Sequence, residues 1–168
     1  GAESLSITNS TIRESQGKGI YIDVSGGGVL TAALDNNDIY NHSSHGIHTY
    51  THDTGSSLNL DITGSRIHDL TTGMGIYAQA GTNGTQDLLV DQDVITMTGD
   101  DGIQVHNSGN YSTTTAVVTG NTITDSTDKG IYLYRYSGSS ALSGTIKGNT
   151  ILRGGTYGIY TYTSASAS

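Results

Sequence analysis

Six copies of the dipeptide Gly-Ile punctuate the chain, at Gly19, Gly46, Gly75, Gly102, Gly130 and Gly158, spaced 27, 29, 27, 28 and 28 residues apart. A second column holds isoleucine throughout: Ile12, Ile39, Ile67, Ile95, Ile123 and Ile151. A third reads Ile7, Leu34, Ile62, Val90, Val118 and Ile146. Three columns in one register define six structural repeats of about 28 residues.

No repeat contains an apolar stripe of helical period. After each Gly-Ile the side chains alternate, as with Ile131 and Leu133 against Tyr132 and Tyr134. That is the period of a strand with one buried face. One repeat holds too little apolar material to fold alone, so repeats must stack. Three short strands per coil, in parallel register, give an all-β chain: one parallel β-helix (solenoid) domain over 1–168. Six coils about 4.8 Å apart make a rod about 29 Å long. Its interior is filled by the aliphatic columns, each buried side chain contributing about 1.5–3 kcal/mol.

The turn before the second column reads Asn9-Ser10, Asn36-Asn37, Gly64-Ser65, Gln92-Asp93, Gly120-Asn121 and Gly148-Asn149. Asn and Gly tolerate left-handed backbone angles, and stacked Asn side chains can hydrogen-bond between coils. The Gly before each Ile is expected to have a similar steric reason. The chain has no proline, as befits strands whose N–H groups all serve a ladder.

Composition excludes several classes. Only 13% of residues are charged, and the net charge is −8 with a pI near 4.8. Nucleic acid is therefore excluded as a partner, since phosphate binding needs clustered Lys and Arg. No apolar run approaches the length of a membrane span, so no membrane insertion is expected. With no cysteine, disulfides and thiolate metal sites are excluded.

The segment "VTGNTITDSTDKGIYLY" resembles a short repeat unit of the right-handed parallel β-helix superfamily. That group includes pectate lyases, polygalacturonases, alginate epimerases and β-helix domains of bacterial surface and periplasmic proteins. The resemblance covers Leu5 to about Tyr162. It implies a right-handed coil and an extracellular, cell-surface or periplasmic setting, but it does not choose an activity. No amphipathic helix is visible to cap either end. Uncapped ends expose strand edges, so the chain is expected to be a piece of a longer solenoid.

The strand after each Gly-Ile presents two outward columns. The first is Tyr21, His48, Tyr77, Gln104, Tyr132 and Tyr160; the second is Asp23, Tyr50, Gln79, His106, Tyr134 and Tyr162. Seven of the eleven tyrosines stand in these columns. Tyr stacks well across strands, so the rings can be a structural ladder. They can equally be a platform for a sugar chain, with phenol, Gln and His groups meeting its hydroxyls. On that reading Tyr21, Tyr50, Tyr77, Tyr132, Tyr134, Tyr160 and Tyr162 bind ligand. The cations on this face are chiefly Lys129 and Arg135, which favours a neutral or weakly charged glycan over a polyuronate.

The stretch "TGDDGIQVHNSGN" places Asp100 and Asp101 before Gly102. It is similar to the polygalacturonase motif Gly-Asp-Asp-Cys-Ile-Ala-Ile, with Gly102 where the Cys stands. In that family an Asp one coil earlier, a His one coil later and an Arg-Ile-Lys strand cooperate with the pair. Here those places hold Met74, Lys129 and Tyr160-Thr161-Tyr162. Asp100 and Asp101 are catalytic candidates without the family's partners, and an ordinary polar turn explains them. A lyase or epimerase would need a base beside an acidic carbon. His106 and Tyr134 are candidates for such a pair, although the alginate epimerase pattern Tyr-Gly-Ile-Asp-Pro-His is left after the Ile in "TYGIYTYT".

"NHSSHGIHTYTHD" contains His42, His45, His48 and His52. His48 and His52 are about 13 Å apart on an extended strand, so one shared zinc site is not expected; His42 and His45 flank a turn and could meet. The simplest expectation is exposed loop histidines. No cofactor is expected. Calcium is the one ion suggested, through Asp87, Asp91 and Asp93 in "DLLVDQD". The functional expectation is a non-catalytic module that binds a polysaccharide or surface glycan, or packs on neighbouring domains. The alternatives are part of a carbohydrate-active enzyme, or a spacer in an adhesin or fibre.

Overall fold

Each repeat folds into three strands, and equivalent strands stack into three parallel six-stranded sheets. The computed structural model describes residues 1–166. The first sheet comprises Ala2–Thr8, Val29–Asp35, Ser57–Thr63, Thr85–Asp91, Thr113–Thr119 and Ala141–Lys147. The second comprises the shorter strands Thr11–Arg13, Asp38–Tyr40, Arg66–His68, Val94–Thr98, Thr122–Ser126 and Thr150–Leu152. The third comprises Ile20–Val24, Ile47–Thr51, Ile76–Ala80, Ile103–Asn107, Lys129–Ser137 and Tyr157–Ser166. Among the described residues there is no helix, and so none long and apolar enough to cross a membrane.

All three aliphatic columns lie in register, one per sheet. Val90 pairs with Ile62 and Val118, Ile95 with Ile67 and Ile123, and Ile103 with Ile76 and Ile131. Each of these nine side chains is 0% exposed. Burial weakens toward the terminal coils, where Ile7, Ile12, Ile146 and Ile151 are only partly covered.

The turns explain the polar columns. The leading residues Asn9, Asn36, Gly64, Gln92, Gly120 and Gly148 all have φ between 51° and 67°, so the left-handed expectation holds in every coil. The following residue points inward and forms a ladder. Ser10 N–H donates to Asn37 Oδ1, Asn37 N–H to Ser65 Oγ, Ser65 N–H to Asp93 Oδ1, and Asp93 N–H to Asn121 Oδ1. Asn121 N–H continues it to Asn149 Oδ1. Each side chain thus satisfies a buried amide that no sheet reaches.

A second left-handed column follows the short strands: Glu14, Asn41, Asp69, Met97, Asp125 and Arg153, with φ from 52° to 62°. Asn41, Asp69 and Asp125 are of types that tolerate it, whereas nothing in the chemistry of Glu14, Met97 and Arg153 announces it. The Gly-Ile glycines also answer to sterics, of a different kind from the turns. A Cβ on Gly102 would lie 2.5 Å from Ile123 Cγ2 and 2.7 Å from the Gly130 carbonyl oxygen. The constraint is close approach of the next coil, not a positive φ.

Candidate functional site

The third sheet turns its outward columns into a continuous row of rings, because parallel register sets equivalent side chains one strand spacing apart. Tyr21 lies 5.1 Å from His48, and His48 stacks on Tyr77 at 4.7 Å between centroids. In the next coil Gln104 replaces an aromatic residue, and the row crosses to the second column. There Tyr77 meets His106 at 6.3 Å, His106 stacks on Tyr134 at 4.6 Å, and Tyr134 meets Tyr162 at 5.3 Å. Tyr132 and Tyr160 run beside them, 5.3 Å apart. Tyr132 and Tyr134 are also stacked, at 5.4 Å, so these four rings form one patch.

Hydrogen bonds tie the row laterally. Tyr77 Oη lies 3.0 Å from His106 Nδ1. Burial lowers the His106 pKa, so the ring is neutral at pH 7 and its tautomer sets which partner donates. Burial also raises the Tyr77 phenol to about 12. Tyr21 donates to Asp23 and lies under the Lys18 ammonium, 3.9 Å from the ring centroid. Tyr50 departs from the row: it stacks on His52 at 4.4 Å, away from the other tyrosines.

Asp100 and Asp101 sit at the edge of this face, and they are not a simple exposed turn. Asp101 is 2% exposed and accepts the Lys129 backbone N–H at 2.9 Å. Desolvation raises both carboxyls, Asp101 to about 6. Together with Asp128 they offer oxygens within 4.8 Å of one another. The Lys129 ammonium enters that cluster, 3.6 Å from Asp101 and paired with Asp128, and rests 4.7 Å from the Tyr132 ring centroid. This tether escaped the reading of the sequence, where Lys129 counted as one of the face's few cations and as a departure from a motif. Its column mate Asp101 is the signal that could have found it. An inverting glycosidase keeps its carboxyls about 6.5–9.5 Å apart, with water between them. Here they are closer, and Lys129 is drawn in to Asp101 and Asp128. His106 and Tyr134 do meet, but neither faces a built-in cation.

The other candidates are dispersed. Asp93 is 1% exposed in the interior ladder, while Asp87 and Asp91 point outward from the first sheet. One strand with period-two alternation and a turn separates them, so the three aspartates do not converge on an ion. The histidines correct the expectation of exposed loops. His42 is fully buried, with Nδ1 2.8 Å from Ser15 Oγ and Nε2 3.1 Å from the Ile12 carbonyl. His45 meets His48 rather than His42, 5.2 Å apart edge to face. Burial lowers His48 to about 4. His52 bridges Asp23 and Asp53, each at 3.2 Å. Of the expected cations, Arg135 donates to the Ser140 carbonyl.

No curated protein matches the sequence. Among solved structures, the mannuronan C-5 epimerase A-module of Azotobacter vinelandii is similar, at 14% identity and a TM-score of 0.40. The alignment covers 98% of this chain, which spans 57% of that module. The family described as "Right handed beta helix region" matches residues 1–168. With six in-register coils behind that match, the chain belongs to the right-handed β-helix family.

Proposed function

We propose that the chain binds a neutral or weakly charged glycan along the outward face of the third sheet, without catalysis of its own. The supporting observation is the unbroken ring row from Tyr21 to Tyr162. Flat aromatic faces gain dispersion and apolar burial against sugar rings, and Tyr loses little entropy in doing so. Phenol and imidazole edges supply the hydrogen bonds. Such a ligand places the module outside the cell, at a cell surface or in a periplasm.

Enzymatic activity is the second reading, supported by Asp101, whose pKa near 6 suits proton transfer at neutral pH. A panel of immobilised polysaccharides separates the two. Retention of a neutral polysaccharide without shortening it, unchanged in Asp100→Asn with Asp101→Asn, is the expected result. Depolymerised or double-bond-containing products from the wild-type chain, absent with the double variant, would give the site to an enzyme. Retention of nothing would leave a spacer.

A further inference from the structure

The first outward column lacks a ring only once, in the fourth coil, and the residue there is polar. Gln104 pairs in register with Tyr77 on one side and Tyr132 on the other. It is 8% exposed, yet its amide makes no hydrogen bond to any described residue. Nor is that amide sealed in, since neither of its polar atoms is among the fully covered, unpartnered ones. The amide thus reaches the surface without a protein partner, whereas a Tyr in its place would have continued the stack.

From this geometry we infer that Gln104 is the floor of the principal sugar subsite, whose Tyr77 and Tyr132 walls hold one uncharged pyranose while the amide bridges two of its neighbouring hydroxyls. The inference rests on the glycan-binding reading and deepens it. Tyr77 and Tyr132 are two coils apart, about 9.6 Å along the rod. A sugar ring packed at contact distance from a phenol ring on each face needs about 7–8 Å. An amide offers a donor and an acceptor side by side, which matches two vicinal hydroxyls. His106 stands beside it, with Nδ1 on Tyr77 Oη at 3.0 Å, which leaves Nε2 for a further hydrogen bond.

Charge sets the ligand class. Asp100, Asp101 and Asp128 cluster before the third-sheet strands of the fourth and fifth coils, and Lys129 is the cation paired with them. The surplus is negative, and a uronate carboxylate placed there would be repelled. A neutral hexose polymer meets no such opposition.

The test uses Gln104→Met, which keeps the length and apolar stem but removes the amide. Binding is read by titration with a neutral polysaccharide retained by the wild-type chain, and stability by thermal melting. The expected result is at least a tenfold loss of affinity with an unchanged or raised melting temperature. Gln104→Glu should lose affinity as well, because it adds a charge and removes the donor. Gln104→Met binding as tightly as wild type would overturn the subsite while leaving glycan binding intact. A lowered melting temperature in Gln104→Met with unchanged affinity would assign the side chain to packing. Tighter retention of a polyuronate than of any neutral polymer would overturn the charge argument. If the wild-type chain retains no polysaccharide, the glycan-binding reading itself fails, and the subsite with it.

Discussion

Position 93 holds an aspartate in a ladder that neighbouring coils build from asparagine and serine. Asn37, Asn121 and Asn149 each donate Nδ2–H to a carbonyl of the preceding coil, at 2.8–3.0 Å. Asp93 has no such donor when ionised, and its Oδ2 is buried without a partner. Burial accordingly raises its pKa to about 7. A folded-state pKa above the ordinary carboxyl value means stability present below about pH 4 and lost as pH rises through about 7. Asp93→Asn should therefore stabilise the chain on the order of 2–4 kcal/mol at pH 8 and hardly at all at pH 4. Thermal melts at the two pH values check this; an equal shift at both would rule out titration as the cause. Met97 makes a second residue-scale case. It is 48% exposed and holds φ at 52°, a conformation that costs an L-residue about 1–2 kcal/mol. Gly adds unfolded-state entropy of roughly 0.4–1 kcal/mol. The net expectation for Met97→Gly is a gain of up to about 1 kcal/mol in chemical denaturation.

The coil is the element of this fold, and its tolerances are set by the next coil. Ile103 is 0% exposed between Ile76 and Ile131, and Ile103→Ala should cost roughly 2–5 kcal/mol. Gly102→Ala should be damaging for the opposite reason. Its Cβ meets the Gly130 carbonyl at 2.7 Å, and overpacking of that kind costs typically 1–3 kcal/mol. Denaturation of both variants checks the pair; an Ala at 102 without effect would mean that coils separate more easily than the ladder implies. Periodicity made these contacts legible in the sequence, since a residue that recurs every 28 positions must stack on itself. The same logic fails for features without a chemical signature. Glu14, Met97 and Arg153 share one left-handed turn, because the coil's path overrides a modest local preference. His42 looked like a loop residue but is buried, since repeat register says where a strand runs and not how its corners pack. Lys129 illustrates the limit at the face. Its ion pair with Asp101 joins residues 28 positions apart, in a column whose members differ in chemistry from coil to coil.

On the scale of the whole molecule, three sheets separate two jobs. Their inner faces carry the aliphatic ladders, and the outer face of the third carries the rings. The tyrosines can therefore change without emptying the core. Tyr132 and Tyr160 are only partly buried and belong to the four-ring patch. The most direct measurement is the affinity of Tyr132→Ala with Tyr160→Ala for a polysaccharide retained by the wild-type chain, taken alongside its melting temperature. Glycan binding on this face predicts an affinity loss of at least about 1.4 kcal/mol, or tenfold, with little change in melting. A large fall in melting temperature with undiminished affinity, or with no ligand found across a broad panel, would contradict it and make the rings a ladder that holds the rod together.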